Sequence, residues 1–166
     1  MKKLLLGVVL FLSACSIQVD EYDGFQGEVA LVQVTKAEFE NLLGQSAVII
    51  LADPTSPWSQ EAVPVFNEAV KQVTDQAYYY NASEERGNET LLRQLQSAAF
   101  TDEVTKLLYD EVYLPVVIQI QNGQIRRVHV GTVASHVIRD GEIPSLTAAQ
   151  KLELRVIYEE LLQQTS

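Results

Sequence analysis

The sequence predicts an α/β sandwich built on a central mixed β-sheet. Two observations support this prediction: the first half alternates apolar strand-like runs with helix-like segments, and the second half contains a hairpin followed by one closing helix. Alternation of this kind is typical of βαβ units with parallel strands, whereas a hairpin adds antiparallel strands. The predicted order is β-α-β-α-β-α-β-β-α, with helices flanking the sheet.

The first half contains three predicted strands and two predicted helices. Val29–Val34 has the composition of a strand, and Thr35-Lys36-Ala37-Glu38 is a capping box that opens a short helix. Ala47–Ala52 is continuously apolar, as expected for a central strand that is covered on both faces. Apolar residues at helical spacing predict a helix from Trp58 to about Thr74, and a strand is expected over Ala77–Ala82.

The second half adds a helical region, a hairpin and a last helix. Asn122-Gly123 is a strong hairpin signal because both central residues of a type I′ turn need positive φ. Thr147 and Gln150 form a second capping box at the start of the last helix. The predicted bounds are Glu84–Asn88 for a polar loop, Glu89 to about Tyr109 for a helical region broken near Phe100-Thr101, Val116–Gln121 and Gln124–Val130 for the strands, and about Gln163 for the end of the last helix.

The beginning of the chain has the pattern of a bacterial secretory leader that ends at a cysteine. Lys2 and Lys3 are followed by the apolar run Leu4–Leu12, which is too short to span a membrane, since a span needs about 20 residues. The ending Leu12-Ser13-Ala14-Cys15 resembles the lipobox of bacterial lipoproteins, in which the cysteine is alkylated with diacylglycerol and becomes the new N-terminus. We therefore predict a lipid anchor on Cys15 at the extracytoplasmic face of the cell membrane, with an ordinary secreted protein as the alternative.

This assignment divides the chain into residues 1–14 as signal peptide, 15–27 as a flexible tether and 28–166 as one domain. The tether is predicted because its sequence is acidic and punctuated by glycine. The net charge of the whole chain is −10, and the leader holds two lysines and no acid, so the mature part carries −12. Such a surface argues against nucleic acid and against electrostatic docking on anionic lipid, so the acyl chains must hold the protein on the membrane.

Three motifs resemble the thioredoxin family. A buried strand leads into Ser56-Pro57-Trp58-Ser59 at a helix start, where the family has Cys-x-x-Cys, and Pro64 follows at the spacing of its helix-kinking proline. Leu114-Pro115 is followed by a strand, the Asn-Gly hairpin and a second strand that ends at Gly131. In the family, a cis-proline is followed by the same elements at the same spacings. The resemblance covers about Val29–Ser166, and the extra length before Leu114 is expected to be a helical insert.

The resemblance implies a thioredoxin-like three-layer sandwich with a cis peptide bond before Pro115. It also implies that Trp58, Leu114, Pro115 and Gly131 form a groove for an extended polypeptide or a partner protein, with Trp58 as an exposed anchor rather than a core residue. The leader and the helical insert resemble the bacteriocin-transport-accessory type of this family.

The departures from the family concern its chemistry. Ser56 and Ser59 stand where the reactive cysteines should be, and Ile50 stands where the family carries a buried acid. A lipidated Cys15 leaves the mature protein no free thiol, so the sequence favours a redox-inactive binding protein. The alternatives are a thiol-disulfide oxidoreductase whose cysteines are replaced in this chain, and a structural surface lipoprotein. For the two serines, helix capping is the simpler interpretation.

The two histidines do not indicate a metal site. His129 alternates with valines on a strand and is expected to face solvent, and His136 lies in a loop. Two histidines without a cysteine beside them are a poor zinc ligand set. We predict neither a metal nor a cofactor.

Overall fold

The structure, a computed structural model, describes residues 21–25, 27–73, 76–85, 91, 93, 95, 99–100 and 113–163. The described strands are β1 (Leu31–Val34), β2 (Ala47–Ala52), β3 (Ala77–Asn81), β4 (Ala99–Phe100), β5 (Val116–Gln121) and β6 (Gln124–Val130). The helices are α1 (Lys36–Leu42), α2 (Pro57–Val73) and α3 (Ala148–Gln163), with a 3₁₀ turn over Ser83–Glu85 and further helical positions at 91, 93 and 95.

The predicted mixed sheet is confirmed. The strand order is β1-β3-β2-β5-β6-β4. β1, β3 and β2 are mutually parallel, β5 is antiparallel to both β2 and β6, and β4 is parallel to β6. Phe39 of α1 belongs to the apolar cluster on one face of the sheet, while Phe66 of α2 and Tyr158 of α3 belong to the cluster on the other. The molecule therefore has the three layers that the sequence predicts.

β2 is the centre of both clusters. All six of its residues are buried. Its side chains alternate between the faces, so that Val48 and Ile50 join the cluster under α2 and α3, whereas Ile49 and Leu51 join the cluster under α1. Continuous apolar sequence is what a strand covered on both faces requires, and that prediction is confirmed.

The turn and cap signals of the sequence are confirmed as well. The Thr35 side chain accepts from the Glu38 N–H, and the Glu38 carboxylate accepts from the Thr35 N–H, which completes the capping box. Thr147 and Gln150 make the same reciprocal pair before α3. In the hairpin, Asn122 and Gly123 have φ of 52° and 73°, the positive values that a type I′ turn needs.

The tether prediction is wrong for residues 21–25. Tyr22 is 1% exposed and belongs to the core, where its hydroxyl lies 2.9 Å from that of Tyr79 and its ring packs edge-on against Phe25. Gln60 of α2 holds the same segment through the Glu21 carbonyl and the Asp23 N–H. Two aromatic side chains three residues apart bury enough apolar surface to fix this segment on the domain. The rest of the predicted tether up to residue 20, together with residue 26, lies outside the described residues.

The helical insert is confirmed in part and corrected in part. Positions 91, 93 and 95 are helical, and Leu91 and Leu95 are buried. Ala99–Phe100, which the sequence placed next to a helix break, is instead β4, paired with Gln124–Ile125 of β6. This pairing provides hydrogen-bond partners for backbone groups at the edge of β6. A strand of two residues is too short to show an alternating hydrophobic pattern in the sequence. Within the predicted polar loop, Glu85 is buried, forms an ion pair with Lys36 and accepts a hydrogen bond from the Tyr80 hydroxyl. The other residues of the insert lie outside the described part.

Candidate functional site

The site forms where three chain segments meet at one edge of the sheet. Leu51 near the end of β2 pairs with Val116 at the start of β5, and Val116 also pairs with Val130 at the end of β6. This register brings the loop after β2, the residues before β5 and the residues after β6 together. The segments that carry Ser56, Pro115 and Gly131 therefore meet, as the resemblance implies.

The peptide bond between Leu114 and Pro115 is cis, as predicted. Pro115 is itself buried, and its carbonyl accepts a hydrogen bond from the Gly131 N–H at 2.7 Å. Gly131 has φ of 74°, a left-handed conformation that glycine adopts without steric cost. Pro115 is thus buried, whereas Leu114 and Gly131 are partly exposed.

The two serines of the motif have different environments. Ser56 is half-buried and directly precedes α2, and its carbonyl accepts a hydrogen bond from the Gln60 N–H in the first turn of that helix. Ser59 is fully buried, and its hydroxyl accepts a hydrogen bond from the Asp53 N–H at 3.2 Å. Ser59 therefore joins the end of β2 to α2 rather than capping the helix, so the capping interpretation is wrong for Ser59.

Asp53, directly after β2, is a buried acid beside the two serines. Its Oδ1 accepts from the Thr55 N–H at 2.8 Å and from the Thr55 hydroxyl at 2.7 Å. These bonds close the turn between β2 and α2. At Ile50, where the family has its acid, the side chain is fully buried among apolar residues. The acid of this site therefore stabilises a turn.

An open cavity of about 580 Å³ lies over this junction. Trp58, Leu114 and Gly131 all line it, so three of the four predicted groove residues come together, whereas the fourth, Pro115, is buried and does not line the cavity. No Asp, Glu, Lys or Arg is found among its described lining residues. They are Trp58, Tyr113, Leu114, His129, Val130, Gly131, Thr132, Val133, Ala134 and His136.

His136 is the site residue that sequence reasoning missed. It is buried, its Nδ1 lies 2.8 Å from the Thr132 hydroxyl, and its Nε2 lies 2.6 Å from the Pro144 carbonyl. Since a carbonyl only accepts, Nε2 carries the proton. The ring also packs edge-on against Trp58, with centroids 4.9 Å apart. His136 thus holds the loop after β6 closed and supports the indole that lines the cavity.

His129 is only partly exposed, which corrects the sequence expectation of a solvent-facing side chain. It is half-buried under α3, its ring meets Tyr158 edge-on at 5.7 Å, and its Nε2 lies 3.0 Å from the Thr132 carbonyl. Burial lowers the pKa of His129, and the bond to Thr132 offsets part of that effect. The side chain is therefore neutral at neutral pH, and the cavity it lines carries no charge from it.

The described ranges contain no group of three or more His, Cys, Asp or Glu side chains placed to hold a metal ion. None of their helices is long and apolar enough to cross a membrane. Cys15, the predicted lipidation site, lies outside the described residues.

Comparison with known proteins finds similarity in the fold. No family model matches the sequence, and no curated protein matches it. Solved structures of thioredoxins do match. That of Aeropyrum pernix is 21% identical, with 59% of this chain and 73% of that chain covered and a TM-score of 0.39. Thioredoxin O2 of Arabidopsis thaliana is 14% identical, with 81% of this chain and 96% of that chain covered and a TM-score of 0.46. Oxidised thioredoxin of Plasmodium falciparum is 12% identical, with 80% of this chain and 98% of that chain covered and a TM-score of 0.45.

This chain has a thioredoxin-like fold. The assignment rests on its own strand order, on helices on both faces of the sheet, and on the cis bond before Pro115 at the junction with α2.

Proposed function

We propose that this chain is a membrane-anchored, extracytoplasmic thioredoxin-like protein that binds an extended polypeptide or a partner protein and has no redox chemistry of its own. One observation supports this most directly. Trp58, Leu114 and Gly131 line one open cavity, while serines occupy both positions of the family's redox motif. The residues of the proposed groove thus lie together in a chain that lacks the thiols.

The anchor and the narrower family type belong to the same proposal. The leader that ends at Cys15 supports lipidation, and a lipid with two or more acyl chains holds a protein stably at a bilayer. The helical positions 91, 93 and 95 before the cis-proline support the resemblance to bacteriocin-transport-accessory proteins. The partner would then be another extracytoplasmic protein or a secreted peptide.

The cavity suits an apolar stretch of extended chain. Leu114 offers backbone groups beside the cavity, where an added strand can form main-chain hydrogen bonds. Trp58 offers a rigid apolar face. Since α2 begins at Pro57, which has no N–H, the backbone donors that its first turn can offer to a peptide carbonyl start at Trp58. Because the chain as a whole is strongly acidic, a neutral or basic peptide should bind better than an acidic one.

Redox chemistry would need two thiols that the chain does not have. Cys15 is the single cysteine, so no disulfide can form within one chain. Ser59 is buried and hydrogen-bonded to the backbone of Asp53, and a serine hydroxyl has no accessible anion near neutral pH. The oxidoreductase alternative therefore requires cysteines at 56 and 59 in the natural relatives of this chain.

The proposal is tested by fluorescence anisotropy with labelled, cysteine-free extended peptides in acidic, neutral and basic versions. Trp58→Ala should weaken binding by about 2 kcal/mol or more, the range of interface hot spots, which is about 30-fold in Kd. Ile138→Ala is the matched control, because Ile138 is exposed and does not line the cavity. Equal Kd values for wild type, Trp58→Ala and Ile138→Ala would contradict the proposed groove.

A further inference from the structure

The segment before β1 fixes where the chain enters the domain. The core position of Tyr22 and the bonds of Gln60 to the Glu21 carbonyl and the Asp23 N–H hold residues 21–23 against α2. Gly24 continues this contact, since an added Cβ there would lie 2.8 Å from the Pro64 side chain. The polypeptide therefore enters at one defined place on the α2 side of the sheet.

Only six residue steps separate Cys15 from Glu21. Even fully extended, they reach about 20 Å. On the proposed function, in which Cys15 carries the lipid, Glu21 must then lie within about 20 Å of the membrane surface. The side of the domain next to Glu21 is held close to the bilayer.

The surface beside this entry point has exposed apolar side chains. Asp23 and Gly24 share a cavity of about 990 Å³ with Lys151, Leu152 and Arg155 of α3. Leu152 is 54% exposed and Val156, one turn further along the same helix, is 45% exposed. Apolar side chains and long cationic side chains on one helix face suit the boundary between headgroups and acyl chains.

We propose that this α3 face, defined by Lys151, Leu152, Arg155 and Val156, lies against the lipid bilayer in the anchored protein. The proposal rests on the lipid anchor of the proposed function. It goes further by giving the domain an orientation: α2 and α3 lie toward the membrane, and α1, on the other face of the sheet, lies away from it.

The charges around this face predict how the contact depends on lipid. Asp23, Glu61 and Glu68 also line the cavity. Glu61 accepts the Leu146 N–H, Glu68 pairs with Lys71, and Arg155 pairs with Glu159. Acidic and basic side chains are both present and partly paired, so they give no net attraction to lipid headgroups. The lipid anchor and the exposed side chains of Leu152 and Val156 therefore supply the contact with the bilayer. It should form on neutral vesicles and change little when anionic lipid is added.

The test uses the full lipidated protein in phosphatidylcholine vesicles. Leu152→Cys and Ala37→Cys each provide one free thiol for a nitroxide label, because the Cys15 thiol is alkylated. Ala37 is the matched control, since it is exposed on α1. The label at 152 should be accessible to membrane-dissolved oxygen and shielded from a water-soluble nickel complex, and the label at 37 should behave in the opposite way. Equal accessibility at both positions, or bilayer contact at 37, would overturn the orientation.

A second variant separates the orientation from the anchor. Inserting about fifteen Gly and Ser residues between Asp20 and Glu21 extends the reach and should lower the bilayer contact at 152 while flotation with the vesicles persists. Unchanged contact at 152 in this variant would refute the role of the short connection. Wild-type protein that does not float and lacks the lipid mass refutes the anchor and the orientation together. If the protein floats with the vesicles but the label at position 152 is accessible to the nickel complex, the orientation alone is refuted.

Discussion

Replacing Tyr22 tests whether residues 21–25 are part of the folded domain. Tyr22→Phe removes the Tyr22 hydroxyl, which lies 2.9 Å from the Tyr79 hydroxyl in the core. The Tyr79 hydroxyl then loses this hydrogen-bond partner. The expected loss is about 1–1.5 kcal/mol of unfolding free energy. Tyr22→Ala also removes a ring that is 1% exposed and contacts both Phe25 and Tyr79, so about 3–5 kcal/mol should be lost.

The assay is urea unfolding followed by far-ultraviolet circular dichroism, with Leu152→Ala as the control. Leu152 is exposed, so its truncation should change the unfolding free energy by less than about 0.5 kcal/mol. The expected order of midpoints is wild type and Leu152→Ala together, then Tyr22→Phe, then Tyr22→Ala. If Tyr22→Ala unfolds at the wild-type midpoint, the segment is a tether and the core position of Tyr22 is refuted.

The same residue has a signature in the pH dependence. Burial raises the pKa of the Tyr22 hydroxyl far above its usual value of about 10, so only the unfolded chain releases this proton near pH 10. The stability that this protonated hydroxyl contributes is fully present below pH 10. As the pH rises above 10, the free energy of unfolding falls by about 1.4 kcal/mol per pH unit for each such tyrosine. Tyr22→Phe should make that alkaline slope shallower by one proton. An unchanged slope would mean that Tyr22 ionises freely in the folded protein.

Three further predictions concern the anchor, the missing redox chemistry and Ser59. Metabolic labelling with a radioactive fatty acid should mark the wild type, and Cys15→Ala should abolish both label and membrane retention; an unlabelled, freely secreted wild type would remove the lipoprotein assignment. The mature domain should show no insulin-disulfide reductase activity above background, whereas Ser56→Cys with Ser59→Cys should form a disulfide detectable by thiol titration and still reduce insulin poorly, because Ile50 supplies no acid. Ser59→Ala should cost about 0.5–1.5 kcal/mol in urea unfolding, because it removes the buried hydroxyl that accepts the Asp53 N–H; a wild-type midpoint would show that this bond is dispensable.

The elements that could be predicted from sequence are those with local causes. The capping boxes at Thr35 and Thr147 and the hairpin at Asn122 each depend on side chains within four residues of one another. β2 was predicted because burial on both faces leaves a continuous apolar run. In each case the sequence pattern and the physical cause lie in the same short segment.

The elements that were missed depend on distant partners. Tyr22 is fixed by Tyr79, 57 residues away, and its acidic, glycine-containing surroundings are typical of a tether. β4 consists of two residues that form a strand because β6 offers an edge. Tertiary pairing of this kind has no periodic signal in the sequence.

The site was predictable only to the extent that it resembles a family. The resemblance placed Trp58, Leu114 and Gly131 together, and the structure brings them to one cavity. His136 was missed because its role comes from contacts with Thr132 and Pro144 that exist only once the loop after β6 has folded. A histidine followed by Pro144 in the same loop was a weak signal that the two could meet.

The central claim is that this cavity binds an extended chain without thiol chemistry, and site-specific photo-cross-linking tests it most directly. A photoreactive benzoylphenylalanine replaces Tyr113, which is exposed at the cavity, in the membrane-anchored protein, and replaces Ala37 on α1 as the control. The account predicts adducts from position 113 that resist reducing agent and that Trp58→Ala abolishes, with none from position 37. Adducts that form equally from both positions, or that persist at 113 in the Trp58→Ala variant, would contradict it.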